Sequence, residues 1–227
     1  MIGEDSMEAV CHVGDDAVQR LHTLGLVPDD VYAPLGKASA EARLATELDS
    51  PGMAGYTFWS RCNRFFREQM QEKAGWGYSN SQQILRCLHP TDGFAITAVS
   101  ASGPVGDEKA AWSGAIRTKN PKGPAVARLV QRNEEQLALF QIPGQRVEVP
   151  DVNELPTWFL LYKSTKEGLS FELSMPVQMH GKYVDTWRER IILPENPFRG
   201  PEFDIKRLDE VVEDVAVEVP VEFKGAI

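Results

Sequence analysis

A basic segment in the middle of the chain carries the side chains best suited to binding chemistry. Between residues 109 and 133 the sequence has six basic residues and no acidic one, although the 227-residue chain has a net charge of −9. Such a segment attracts anions locally whatever the total charge of the protein.

The centre of this segment has the composition of a phosphate-binding loop. Residues 119–125, KNPKGPA, lead directly into a predicted helix, whose N-terminus offers free N–H groups and a positive dipole. Gly123 lets the backbone approach a phosphate closely. The same residue types are typical of any exposed loop and helix cap, and that remains the simpler interpretation. The predicted anion-binding residues are Arg117, Lys119, Lys122, Gly123, Arg128 and Arg132.

A second candidate is the aromatic and basic stretch at residues 56–78. Aromatic rings interleaved with arginines suit single-stranded nucleic acid, because bases stack on the rings. Most of these aromatics, however, fall at the spacing of one buried helix face, which favours core packing.

Carboxylates are the third candidate, namely Asp107, Glu108, Glu172 and Glu189. Two glutamates on neighbouring strands can form an acid/base pair or hold a divalent cation. Glu172 or Glu189, together with the basic segment, would carry the alternative function, an enzyme acting on nucleic acid or nucleotides. Glu172 lacks the lysine two residues later that a PD-(D/E)xK nuclease has, and Glu189 lies between two arginines. Ordinary surface ion pairs are the favoured interpretation.

Most other enzyme signatures are absent from the sequence. It has no GxSxG, HExxH, P-loop, GxGxxG or EF-hand pattern, and its four histidines lie far apart. We therefore expect no metal site and no cofactor, and whether the protein is an enzyme stays open.

Glycines and prolines place the predicted helices. These end at Gly25 and at Gly75, and a later one begins at Pro124 and runs to about residue 141. Pro28 and Pro34 are expected to break the chain, with helical structure resuming over residues 38–48.

Alternating hydrophobicity places the strands. Residues 84–89 and 94–100 form a predicted hairpin, and a β-meander begins at Thr157. In its second strand Glu172 and Ser174 are expected to face solvent, opposite a buried face. The acidic tail from Asp209 could add one edge strand.

Together these elements predict an α+β fold with N-terminal helices and a mostly antiparallel sheet. Its parts are a helical and hairpin region (residues 1–141), a linker crossing the surface (142–156), and a meander with an acidic tail (157–227). One domain is preferred for all three parts, because three strands alone leave a face uncovered.

Composition limits the compartment and the partners. With 42% hydrophobic and 25% charged residues the chain is globular, and its longest apolar run is too short to cross a membrane. Three cysteines without CxxC spacing favour reduced thiols in the cytoplasm. Candidate partners are nucleic acid, a phosphate-bearing ligand or an acidic protein. The sequence leaves the oligomeric state open, and a homodimer is the default expectation because two-fold dimers are the commonest assemblies.

Two stretches resemble a family of uncharacterised bacterial proteins associated with mobile elements. They are NPKGPAVARLVQRNEEQLALF at residues 120–140 and PTWFLLYKSTKEGLSFELSMPV at residues 156–177, followed by WRERIILP. The resemblance implies a bacterial accessory protein and no catalytic residue. The leading hypothesis is a cytoplasmic binding or accessory protein with an anion-attracting loop.

Overall fold

A mixed sheet runs through the centre of the molecule, which the computed structural model describes over residues 9–110, 115–139 and 151–205. The strands are β1 (Val10–His12), β2 (Gly77–Ser79), β3 (Arg86–Leu88), β4 (Ala95–Ser102), β5 (Arg117–Thr118), β6 (Thr157–Thr165), β7 (Gly168–His180) and β8 (Tyr183–Ile191). The helices are α1 (Gly14–Thr23), α2 (Pro28–Ala42), α3 (Met53–Ala74) and α4 (Pro124–Leu139).

The spatial order of the strands is β1-β8-β7-β6-β4-β3-β2, and β5 pairs with the end of β4. Only β1 with β8 and β4 with β6 are parallel pairs among the described strands. The α+β class, the mostly antiparallel sheet and the meander of β6, β7 and β8 are thus confirmed. Because β4 and β6 pair in parallel, their carboxyl ends lie at the same edge of the sheet.

Helices cover both faces of this sheet. Phe58 and Met70 of α3 pack with Leu160 on one face, together with residues of α1 and α2. On the other face Leu129 of α4 packs with Phe159. Strand β7 is therefore buried on both sides.

The expectation that β7 exposes one face is consequently wrong. Glu172 and Ser174 are both fully buried. The sequence alternates between polar and apolar residues there because the polar side chains bond to each other and to Arg190, not because they meet water.

The positions of glycine and proline correctly predict one end of each of three helices. Gly25 follows α1 with φ +70°, Gly75 ends α3 with φ +67°, and Pro124 is the first residue of α4.

The break expected at Pro28 and Pro34 is wrong, because both prolines lie in α2. Pro28 is at the helix start, where no N–H partner is needed, and Pro34 lies inside the helix. Val31, Leu35 and Ala38 form a buried face at helical spacing, and its packing outweighs the hydrogen bond that Pro34 cannot make.

Two further predictions fall largely outside the described residues, namely most of the linker and the strand in the acidic tail. All three cysteines are described and are buried thiols. In the part of the chain that the structure describes, no helix has the length and apolarity to span a membrane.

Candidate anion-binding cleft

A cleft of about 470 Å³ opens at the sheet edge where β4 and β6 end. Residues 99–101 and 162–164 of these strands line its floor, the start of α3 forms one wall, and the loop between β5 and α4 forms another. In open sheets, ligands commonly bind outside the carboxyl ends of parallel strands. The cleft is called the lysine cleft below.

Three lysines and no acidic residue are among the described residues that line the cleft. Lys119 and Lys122 come from the loop before α4, and Lys163 comes from β6. Lys163 Nζ donates to Gly103 O at 2.8 Å, and no carboxylate among the described residues forms an ion pair with it. The lysine cleft is therefore positive inside a chain that is negative overall.

Lys122 is the lysine whose charge is least well solvated. Its side chain is half-buried, and burial lowers the pKa of its ammonium group. It pairs with no carboxylate among the described residues. A buried ammonium without a counter-charge is costly, and an anion in the cleft would remove that cost.

Backbone hydrogen bonds fix the loop that carries these lysines. Lys119 N donates to Ser100 O of β4 at 2.9 Å, and Lys122 N donates to Lys182 O at 2.7 Å. The loop is thus tied to β4 and to the turn between β7 and β8, so its lysines are held in place before a ligand arrives.

The N-terminus of α3 adds a second source of positive potential. Gly52 and Gly55 line the lysine cleft, and Gly52 precedes the helix with φ +81°. Its first turn has no side-chain cap and no acidic residue. The positive end of a 22-residue helix is therefore not neutralised locally.

Aromatic rings complete the cleft. Tyr56 and Trp59 lie on the first turns of α3, with ring centroids 5.7 Å apart. Tyr162 lines the floor, and burial raises the pKa of its hydroxyl group, which bonds to the Ser100 side chain. This hydroxyl stays neutral and packs as part of the floor.

Of the predicted anion-binding residues, the structure brings Lys119 and Lys122 together in the cleft. Gly123 is exposed at the start of α4 and outside the lining, so the helix end at the cleft belongs to α3 and not to α4. The Arg117 guanidinium stacks over the ring of Tyr183 at 4.9 Å.

The two arginines on α4 have other contacts. Arg128 donates to the Gln82 side chain at 3.4 Å, and Arg132 forms an ion pair with Glu154 at 2.6 Å. Neither residue lines the lysine cleft. The ion pair with Glu154 accounts for Arg132 without any ligand.

The sequence patterns considered above did not indicate Lys163 or the start of α3 as parts of a binding site. Lys163 directly follows the apolar run of β6, and a charge placed at the end of a buried strand is a usable signal. Gly52 and Gly55, with no acidic residue in the first turn of α3, form the other signal.

The aromatic stretch at residues 56–78 contributes side chains both to the core and to the lysine cleft. Phe58 and Phe66 of α3 are buried in the core, as the helical spacing predicts, and Trp76, which follows the helix, is buried too. Tyr56 and Trp59 line the lysine cleft, where one side of Phe58 also contributes.

The carboxylates do not form a pair. Glu189 lies opposite Met175 and faces α1, where it bonds to Arg20 and His12. Glu172 points to the other face of the sheet, where it bonds to buried Arg190. The expectation of surface ion pairs is therefore wrong for Glu172. Across the described ranges, no three His, Cys, Asp or Glu side chains converge on a possible metal position.

Comparisons with known proteins give no match to this chain. No protein-family model matches it, and no curated protein or solved structure is significantly similar.

Proposed function

We propose that this protein binds a small phosphate-bearing anion in the lysine cleft. The observation that supports this most strongly is the lining itself, in which three lysines occur with no acidic residue among the described residues. The half-buried ammonium of Lys122 gains most from an anion, because it has no described counter-charge.

The size of the cleft favours a small molecule over a nucleic-acid duplex. Its volume of about 470 Å³ falls within the range of small-ligand pockets, about 300 to 1,000 Å³. A net charge of −9 also opposes the approach of a long polyanion.

The enzyme alternative needs Glu172 or Glu189 beside the basic segment. The two carboxylates lie on opposite faces of the sheet, and neither lines the lysine cleft. A binding role is therefore the better proposal.

The cellular setting is part of the same proposal. Buried thiols at all three cysteines support a cytoplasmic location. A bacterial accessory role linked to mobile elements rests on the resemblance of residues 120–140 and 156–177.

Thermal unfolding and titration calorimetry with pyrophosphate and tripolyphosphate test the proposal. A ligand at 100 times its Kd stabilises a fold by about 2.7 kcal/mol, a rise in Tm of about 5 to 11 °C for a chain of this size. The Lys119→Ala/Lys122→Ala variant should lose affinity about 100-fold, since a hydrogen bond to a charged group contributes about 1.5 to 3 kcal/mol.

Arg128→Ala is the matched control, because it removes a basic residue of the same segment outside the cleft. It should bind as the wild type does. If neither polyphosphate binds the wild type, or if the lysine and arginine variants lose affinity equally, the lysine cleft is not a phosphate site.

A further inference from the structure

We infer that the ligand of the lysine cleft is a nucleotide, whose base stacks on Tyr56 while its phosphates contact the lysines. This inference rests on the proposed function and specifies its ligand. Tyr56 is an aromatic side chain that contributes little to the packing of the fold.

Tyr56 is 64% exposed although it lies on a helix that packs into the core. Its ring contacts the ring of Trp59, and its hydroxyl group has no hydrogen-bond partner among the described residues. Trp59 packs against the core cluster, whereas Tyr56 does not belong to it. The Tyr56 ring therefore contacts the Trp59 ring at an interplanar angle of 49°, and most of the Tyr56 side chain stays accessible.

The position of Tyr56 gives this exposed ring a function. It lines the same cleft as the three lysines, but it comes from α3, whereas Lys119 and Lys122 come from the loop before α4. One wall thus offers a flat aromatic surface and another offers cations. A ligand that contacts both walls needs a planar ring at one end and negative charge at the other.

Asn120 favours a nucleobase over other rings. It lies between the two lysines of the loop, lines the cleft and is exposed. Its side-chain amide has no hydrogen-bond partner in the described ranges. An asparagine amide presents one donor side and one acceptor side, which match the edge of a base such as adenine.

The test compares ATP with tripolyphosphate, which carries the same chain of phosphates without the nucleoside. A stacked base adds about 5- to 150-fold in affinity. Calorimetry should therefore find that the wild type binds ATP at least about 5-fold more tightly than tripolyphosphate.

Variants assign that difference to Tyr56. Tyr56→Ala should remove the preference for ATP over tripolyphosphate, whereas Tyr56→Phe should keep that preference. Asn120→Ala should reduce it. Tyr78→Ala is the matched control, since Tyr78 is 60% exposed at the sheet edge and outside the cleft.

Each result has one meaning. Equal affinity for ATP and tripolyphosphate in the wild type would overturn the nucleotide inference and leave the phosphate site standing. A preference for ATP that survives in Tyr56→Ala would also overturn it. If neither compound binds, the proposed function fails together with the inference. The wild-type comparison needs no variant, so a folding defect cannot mask the outcome.

Discussion

Replacing Glu172 with glutamine should destabilise the fold by about 3 to 5 kcal/mol, because it leaves the buried Arg190 guanidinium without its counter-charge. The carboxylate is fully buried and accepts four hydrogen bonds of 2.7 to 2.9 Å, two from Arg190 and one each from Ser174 Oγ and Gly106 N. Arg190 is itself only 3% exposed. Glutamine keeps the shape of the side chain but removes the charge.

Urea denaturation followed by circular dichroism measures this change, and Tm should fall by about 6 to 20 °C. Arg190→Met should cost a similar amount, because it leaves the buried carboxylate alone. The double variant Glu172→Gln/Arg190→Met should be more stable than the two single losses predict, since no unpaired buried charge remains.

A loss below about 1 kcal/mol in Glu172→Gln would refute this reasoning, since exposed pairs have values of that size. Additive single losses would refute the pairing itself. Folded Glu172→Gln protein should bind tripolyphosphate normally, because neither Glu172 nor its donors line the lysine cleft.

Other variants probe the backbone and His89. Asn133→Ala should cost about 1 to 3 kcal/mol in urea denaturation, because both the N–H and the carbonyl of buried Thr157 lose their bond to the Asn133 amide. Gly168→Ala should destabilise more than Gly181→Ala on the same assay: both glycines have positive φ, but only at Gly168 would a Cβ atom meet neighbouring backbone, at 2.1 Å. Burial lowers the pKa of His89, so the folded state takes up its proton less readily than the unfolded chain does. The stabilisation that the neutral His89 side chain provides should therefore be complete above about pH 6.5, and it should be lost as the pH falls below that value. Denaturation at pH 7.5 and at pH 5 should show a larger decrease for the wild type than for His89→Asn; an equal decrease would exclude His89 as a cause.

Features of the fold that depend on a few neighbouring residues could be predicted from the sequence. Gly25 and Gly75 end helices because glycine adopts the left-handed conformation that a helix C-terminus requires. Pro124 starts one because its fixed φ suits the first turn. Pro34 shows the limit of such signals, since its effect depends on what the α2 face packs against.

The lysine cleft could be predicted only in part for the same reason. Lys119 and Lys122 are close in sequence and could be proposed together. Lys163 and Tyr56 reach the site through the parallel pairing of β4 with β6 and through the packing of α3 on the sheet. Contacts between residues so far apart leave no local pattern to detect.

The carboxylates illustrate how one backbone irregularity changes chemistry. At the turn, His180 lies opposite Tyr183, and a regular ladder counted back from that pair would place Ser174 opposite Glu189. Glu172 and Glu189 would then share a face, as an acid/base pair requires. Irregular pairing around Pro176, which has no N–H to donate, shifts the register by one residue.

Because side chains alternate between faces, this shift exchanges the two neighbours Glu189 and Arg190. Arg190 moves opposite Ser174 and reaches Glu172, and Glu189 turns to Arg20 on α1. Asn133 of α4 donates to Pro176 O at 2.8 Å and so stabilises the irregular backbone. The two carboxylates therefore stay apart, and Glu172 forms a buried ion pair with Arg190. Pro176 indicates from the sequence that a bulge can form here, but it does not indicate in which direction the bulge shifts the register.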